Sequence, residues 1–486
     1  MAPARLSSVE MTPQRSGDAT STDRPHSLPA DRLDALRGDV RGAVLEPDDD
    51  GYDDARRIWN GMIDNRPALI VRCTGTADVV ATVEFARETD HRVGVLGGGH
   101  NVAGTAVPDG GVVVDLSAMT GVRVDHAAGT VRAEGGAELG DVDHETQLFG
   151  LATPLGAVSE TGIAGLTLNG GYGHLSREHG LAADNLVSAD VVTADGAVRT
   201  VDADSDPDLF WALRGGGGSF GVVTSFEYQL YEVGPEVYAI FEWYDWDEAR
   251  AVMGDFREWT ANAPRQAGAL PFAAHVPELA EFPESSWGEP AVAFLGSCRD
   301  DLDPAGVYAP LREGREPIAD FSGPMAFADL QSVLDEDYPE GLRYYWKSIY
   351  LTDLTDEVFD LVVEYTESAP SKLSTLDVWH LGGAVGDVAR DETAFWFREE
   401  PYMFTIEANW EEPAEDDANV EWARDCFAAV ESLPVAVGRY GNFPGFEEDP
   451  PDLRFGGNYD RMVDVKTTYD PENLFGPENG IEPRTD

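Results

Sequence analysis

From residue 51 to about residue 230 the hydrophobic positions switch repeatedly between a 3.6-residue and a two-residue period, which predicts helices alternating with short strands. Tyr52, Ala55, Ile58, Trp59 and Met62 share one helical face, and residues 68–71 form a short apolar strand. Thr76 is an N-cap candidate for a helix carrying Val79, Val80, Val83 and Ala86. The next strand, 92–96, runs straight into Gly97, Gly98, Gly99, His100 and Asn101, with Gly104 close behind. Strands are expected at 112–116, 122–125 and 130–133, followed by a helix at 138–149. Glycine is so dense in 156–173 that neither a regular helix nor a strand is expected there. Asp195-Gly196 reads as a hairpin turn between strands 186–193 and 198–201. A helix at 207–213, a glycine run and a strand at 222–230 complete this stretch.

From 231 to 439 glycine thins and Trp and Tyr rise, which marks a separate α+β domain. Helices are expected at 246–259 and 355–367, strands at 291–297 and 344–351, and a hairpin over 393–410. Glycine returns near Tyr440, and a helix at 459–469 precedes an irregular tail. Residues 1–32 are rich in Ser, Thr, Pro and Asp and have no apolar h-region, so they read as a disordered extension rather than a secretory signal.

Composition narrows the function. The 34 Lys plus Arg against 90 Asp plus Glu leave a formal charge of −56, which excludes a nucleic-acid partner because phosphate neutralisation needs a cationic surface. No apolar run approaches the ~20 residues of a membrane span. Lysine occurs only at 347, 372 and 466, and the acids are scattered along the whole chain, a pattern suited to molar salt. There the Debye length falls to about 3 Å and carboxylate repulsion is screened. The thermal midpoint is therefore expected to rise steadily from dilute buffer to molar KCl; a flat response in salt-series melts would remove this reading. Cys73, Cys298 and Cys426 form neither a CxxC nor an even set, which fits a reducing cytoplasm.

The literal GxGxxG at Gly216, Gly218 and Gly221 follows a predicted helix and precedes a strand, the reverse of a Rossmann fingerprint. No Gly-Lys pair exists for a P-loop, and His174 with His179 has poor metal-ligand spacing, so no metal is expected. A strand ending in three glycines can instead bring backbone N–H groups close to a bulky anion, holding a pyrophosphate without lysine. The second glycine cluster, with Ser159, Thr161, Thr167 and Asn169 among its glycines, offers a second such loop.

Val95-Leu96-Gly97-Gly98-Gly99-His100-Asn101-Val102-Ala103-Gly104, the stretch 158–173, Leu175-Ser176-Arg177, Gly180-Leu181, Asp184-Asn185 and Tyr469-Asp470-Pro471-Glu472-Asn473-Leu474-Phe475 together resemble the FAD-linked oxidases with a vanillyl-alcohol-oxidase-type flavin domain, in the berberine-bridge-enzyme-like branch. The resemblance implies an α+β chain: a PCMH-type FAD-binding domain of two α/β subdomains over 33–230, completed by 440–486, with 231–439 as an α+β substrate domain built on an antiparallel sheet. It places Leu96, Gly97, Gly98, Gly99, His100, Asn101, Gly104, Val158, Ser159, Thr161, Gly162, Gly165, Asn169, Gly170, Gly173, Val223, Asn442 and Asn479 on FAD, with His100 bonded to the flavin 8α-methyl. Val158 stands where doubly tethered members carry cysteine, so at most one covalent bond is expected. Leu96 replaces an Arg or similar polar residue of many relatives. Thr161 occupies the place that influences oxygen access, which leaves the acceptor open.

The implied chemistry is oxidation of a small CH–OH or CH–NH substrate, a sugar, alcohol or amine, by hydride transfer to flavin N5. Either O2, giving hydrogen peroxide, or another electron acceptor completes the cycle; a flavin-binding protein without turnover is the alternative. Tyr440, in Arg439-Tyr440-Gly441-Asn442, matches a tyrosine that often acts as base, with Arg439 or Lys347 available to stabilise its phenolate. His380, before Leu381-Gly382-Gly383, and the run 344–348 with Lys347 are candidates for the substrate wall, although half the side chains on such strands point away from it.

Overall fold

The computed structural model describes residues 28–299, 301–446, 448–476 and 480–485. The extension expected over 1–32 falls outside the described residues as far as residue 27, and a helix, Ala30–Asp39, begins within its last part. Leu33 and Leu36 of that helix pack on a small sheet. The sheet contains β1 (Ala43–Leu45), β2 (Leu69–Arg72), β3 (Val93–Leu96) and β4 (Val112–Asp115) in the order β1-β2-β4-β3, with β4 parallel to both β2 and β3. Its strands are nearly continuous valine, leucine and isoleucine, as expected for strands covered on both faces. Helix Thr76–Glu88 covers one of them through Val79, Val83 and Ala86.

A second, antiparallel sheet contains β5 (Val122–Asp125), β6 (Thr130–Glu134), β8 (Leu186–Val192), β9 (Val198–Val201) and β10 (Val222–Gln229), in the order β5-β6-β10-β8-β9. A two-stranded ribbon of β7 (Leu151–Ala152) and β11 (Tyr231–Glu232) leads away from it. The third sheet is wholly antiparallel and contains β12 (Glu236–Asp245), β13 (Leu270–His275), β14 (Pro290–Cys298), β15 (Ala319–Asp320), β16 (Gly323–Ala326), β17 (Arg343–Leu351), β18 (Thr375–His380), β19 (Tyr402–Trp410) and β20 (Ala436–Val437). Helices Ala249–Thr260, Asp356–Ser368 and Asp416–Glu431 bury Phe256, Val358 and Phe427 on one face of it, leaving the other face toward the first two sheets. Among the described residues no helix is long and apolar enough to cross a membrane.

The C-terminal segment returns to the N-terminal sheets. Met462 and Val465 of helix Tyr459–Tyr469 join the core over the second sheet, and the Leu474 carbonyl accepts from the Val93 amide at 2.9 Å beside the first. The motif that follows owes its form to Asp470. Its carboxylate accepts the Leu474 and Phe475 amides at 2.8 and 3.0 Å and pairs with Lys466 at 2.5 Å, both charged side chains being fully buried. Losing either charge would strand the other in the core, which typically costs ~3–5 kcal/mol.

Three local expectations are corrected. The glycine-rich stretch does contain a helix, Ile163–Leu168, because Ile163, Ala164 and Leu168 bury one face against the second sheet and tertiary packing overrides poor propensity. The stretch 393–410 is no hairpin; only Tyr402–Trp410 is a strand. Upstream, the amides of Ala394 and Phe395 donate to Trp211 and Arg214 carbonyls, and the buried Arg398 forks onto Asp184 at 2.6 and 2.7 Å. That segment clamps the two halves together instead of folding on itself. The first helix is also shorter than its periodicity predicts, ending at Ala55.

A second clamp joins helix Leu139–Thr146 to helix Phe327–Gln331, where Gln331 Nε2 donates to Asp143 Oδ2 at 3.1 Å. Burial pushes the Asp143 carboxyl up to about 7. The folded state thus holds this proton more tightly than the unfolded one, and stability is lost as pH rises from about 4 to about 7. Asp143→Asn is expected to stabilise the protein at pH 8, by ~4 kcal/mol at most, and to do nothing at pH 4. An equal shift in melts at both pH values would refute this.

Candidate active site

The end of β3 and the segment preceding helix Ile163–Leu168 meet backbone to backbone. A Cβ on Gly98 would lie 2.5 Å from the Gly162 nitrogen, and one on Gly162 would lie 2.4 Å from the Gly98 nitrogen, so both positions need glycine. The loops open onto a cavity of about 280 Å³, near the lower end of small-molecule pockets. A second cavity of about 410 Å³ continues on the far side of Gly97–His100 and reaches Leu96. The amides of 97–101 donate no hydrogen bond to an acceptor among the described residues. A row of free N–H donors beside a glycine cradle suits the oxygens of a pyrophosphate, so these residues fit the dinucleotide that the sequence implies.

His100 is held from behind. Its ring stacks on Trp59, centroids 4.9 Å apart, and Trp59 stacks in turn on Tyr344 at 3.6 Å. Burial pulls the His100 imidazole down to about 4, so it is neutral, with a free nitrogen lone pair, near pH 7. Asn60 fastens the loop to β17: its amide nitrogen donates to the Val102 and Tyr344 carbonyls at 2.7 and 2.9 Å, and its oxygen accepts the Tyr344 amide at 3.1 Å. Trp59 and Asn60 therefore leave the helix that their spacing predicts because their partners lie on β17 and in the segment just before it.

Tyr440 enters the cavity from the segment after β20 and is 4% exposed. Asn442 Nδ2 donates to its hydroxyl oxygen at 2.9 Å, and the backbone N–H groups of Gly171 and Tyr172 also point at it. Burial still pushes the phenol up to about 12. Neither cation proposed to stabilise the phenolate does so. Arg439 is committed to Glu431 and stacks on Phe427, and Lys347 bonds Glu448 and Asp449 at 3.2–3.5 Å. Neutral N–H donors take that place.

Of the residues expected on FAD, Gly97, Gly98, Gly99, His100, Asn101, Val158, Thr161, Gly162, Gly165, Asn169 and Asn442 line the first cavity, and Leu96 the second. Gly104, Gly170 and Gly173 do not line it and pack behind the loops, against Ile63, Phe395 and the Leu155 and Gly156 carbonyls. Ser159 turns to the segment between helix Phe327–Gln331 and β17, where Asp335 accepts its amide and hydroxyl at 2.8 and 2.5 Å. Val223 lies in the core of β10, with its carbonyl against Gly135. Asn479 lies outside the described residues.

Lys347 and His380 are not brought to the cavity. Lys347 faces Phe427 beneath the sheet, and His380 packs against Phe256 and Trp259 while its Nε2 meets Arg177 at 2.8 Å. Trp346, within the run 344–348 expected at the substrate wall, does line the cavity, as does Trp379 beside His380, since successive side chains alternate between the faces. The wall is completed by Tyr172, Tyr338, Phe443, Asp377 and Glu407, none of them singled out by sequence.

Residues 67–202 match the FAD binding domain family, and residues 439–482 match the berberine and berberine-like family. An FAD-linked oxidoreductase of Dictyostelium discoideum is 30% identical over 463 residues, covering 91% of this chain and 95% of that protein. The (R)-6-hydroxynicotine oxidase of Paenarthrobacter nicotinovorans is 44% identical over 231 residues, about half of each chain. The crystal structure of 6-hydroxy-D-nicotine oxidase from Arthrobacter nicotinovorans superposes with a TM-score of 0.82 at 28% identity, covering 92% of this chain and 98% of that one. Glucooligosaccharide oxidase from Acremonium strictum shares the fold at 24% identity and a TM-score of 0.82, covering 95% and 99%. With its glycine cradle at one end and its Tyr440 segment at the other, the chain belongs to the FAD-linked oxidoreductases and is an enzyme that pairs an FAD-binding domain with a berberine-like C-terminal segment.

Proposed function

We propose that the enzyme holds FAD through one covalent bond to His100 and oxidises a small CH–OH or CH–NH substrate, with oxygen as acceptor and hydrogen peroxide as product. The observation that carries this reading is the convergence of His100 and Tyr440 on one cavity whose glycine loop presents free amides. When bound, FAD supplies the hydride acceptor. The protein's share is positioning and proton handling. The neutral His100 imidazole is the one nucleophile that the first loop presents, and Val158 offers no second. The amides of 97–101 hold the anionic part of the cofactor without spending any of the three lysines. Tyr440 takes the substrate O–H or N–H proton as its phenolate, the ionised form that Asn442 and two backbone amides stabilise before the transfer. The aromatic wall of Trp346, Trp379 and Phe443 keeps water from that exchange.

Similarity to oxidases whose names specify a hydroxynicotine and an oligosaccharide supports both substrate chemistries. Three buried free cysteines fit a cytoplasmic setting. The decisive experiment begins with a visible spectrum of protein purified in molar salt. Alcohols, sugars and amines are then screened anaerobically for bleaching of the flavin band, and reoxidation in air is compared with that by an artificial dye. Protein without flavin absorbance that gains none from added FAD would end the cofactor reading. Reoxidation by the dye alone would make the enzyme a dehydrogenase.

A further inference from the structure

Asp377 on β18 and Glu407 on β19 are diagonal neighbours on one face of the third sheet, since Thr375 pairs with Glu407 and Asp377 with Thr405. Both line the cavity and are buried, at 4% and 3% exposure. Glu407 Oε2 accepts the Tyr338 hydroxyl at 2.7 Å and the Thr375 hydroxyl at 3.5 Å. Asp377 Oδ1 has no hydrogen-bond partner, and neither does Trp379 Nε1, two residues along the same strand face. The wall thus presents an acceptor and a donor that nothing in the described protein answers.

The cavity also lacks a counter-charge. Among the described residues no Lys or Arg lines it. Lys347 is turned to Glu448 and Asp449, and Arg177 to the Ala267 and Leu381 carbonyls. What surrounds the two acids is aromatic: Trp346 meets Tyr338 and Phe443 edge to face at 5.3 and 5.1 Å, and Trp379 meets Tyr172 at 5.1 Å.

We propose that Asp377, backed by Glu407, receives the cationic nitrogen of the substrate, so that the CH–NH branch of the chemistry is the one used and the substrate is a protonated amine bearing an apolar or aromatic group. This rests on the reading of the cavity as the substrate side of an FAD-linked oxidoreductase. Two adjacent buried carboxyls do not both ionise at neutral pH. Burial pushes Asp377 up to about 7 and Glu407 well above the carboxylate range, so the pair carries at most one negative charge. An ammonium answers that charge, and aromatic faces attract it further. A sugar would hydrogen-bond to the carboxyls but leave the charge unpaired in an apolar site, and an anionic substrate would be repelled.

The chemistry balances. With the nitrogen seated on Asp377, its N–H proton passes to the Tyr440 phenolate, which frees the nitrogen lone pair. The α-C–H bond then breaks, its hydrogen leaving with both electrons to the enzyme's FAD, while the lone pair forms the C=N bond of an iminium product.

The test uses tryptophan fluorescence of the holoenzyme in molar salt, titrated with benzyltrimethylammonium and with neutral benzyl alcohol. The wild-type enzyme is expected to bind the cation at least tenfold more tightly. Asp377→Asn is expected to abolish that preference and to change benzyl alcohol binding less than twofold. General attraction to the acidic surface is the same in both proteins and is screened by the salt. If circular dichroism shows Asp377→Asn misfolded, Asp377→Ala makes the same comparison. Equal wild-type affinity for the two probes, or a cation preference that survives loss of Asp377, overturns the proposal. The fluorescence readout does not depend on flavin chemistry, so an absent flavin band counts against the cofactor reading and a lost preference against this one.

Discussion

Acid-precipitated wild-type protein is expected to stay yellow, whereas His100→Ala protein releases its colour into the acid supernatant. The substitution removes one imidazole and leaves the rest of the cradle. Gly98 and Gly162 still touch, and the amides of 97–101 are still free. FAD should therefore rebind to the variant and dissociate on denaturation, which separates attachment from binding. Three features make His100 suited to attachment. It is neutral at physiological pH because burial pulls it down to about 4. Its ring plane is set by the stack on Trp59 and Tyr344, and its loop is fastened by Asn60. Bonding to an electron-withdrawing ring would also make the flavin a stronger oxidant, so reconstituted His100→Ala should be reduced by substrate more slowly than the wild type. Wild-type colour that washes out in acid would sink the tether.

Much of the frame was legible because the relevant patterns are local. Helices Pro207–Leu213 and Tyr459–Tyr469 have the limits their periodicity predicts, and β8 and β9 flank the Asp195-Gly196 turn as expected. The two ends of the site could be read as well, since a strand running into three glycines and a histidine is distinctive whatever surrounds it. The substrate wall was less accessible, for reasons that lie in the sheet. On β17 and β18 every residue is apolar or could be functional, so nothing in the sequence says which parity faces the cavity. Lys347, within the run 344–348, and His380, at its strand end, are each one position out of phase with the cavity-lining Trp346 and Trp379. Asp377 and Glu407 were hidden by composition: among 90 acidic residues, two buried ones carry no mark. Their burial depends on Tyr338 and on the meeting of β18 and β19, contacts that only the folded chain creates. Trp59 was misplaced for a similar reason. The backbone around it bonds to residues 341 and 342, just before β17, which ends the helix early.

Tyr440→Phe is expected to lower kcat by ~10²–10⁴, the usual contribution of a positioned proton acceptor, while flavin content and the visible spectrum stay close to wild type. The phenyl ring keeps its packing against Phe395 and Phe443, so a loss of activity would report on the hydroxyl alone. The pH profile gives the sharper test. Burial holds the phenol near 12, against the pull of the Asn442 amide and two backbone N–H groups, so the ionised form is scarce at neutral pH and grows as pH rises. A reaction that needs proton transfer to this oxygen should therefore quicken toward alkaline pH in the wild type, and Tyr440→Phe should flatten that limb. Asn442→Ala, which removes the 2.9 Å donor but keeps the hydroxyl, should push the limb higher in pH and lower the rate less than Tyr440→Phe does. A phenylalanine variant that retains both the wild-type rate and the alkaline limb would reduce Tyr440 to a packing residue. The proton acceptor would then have to be sought at Asp377, whose Oδ1 lines the cavity wall without a hydrogen-bond partner.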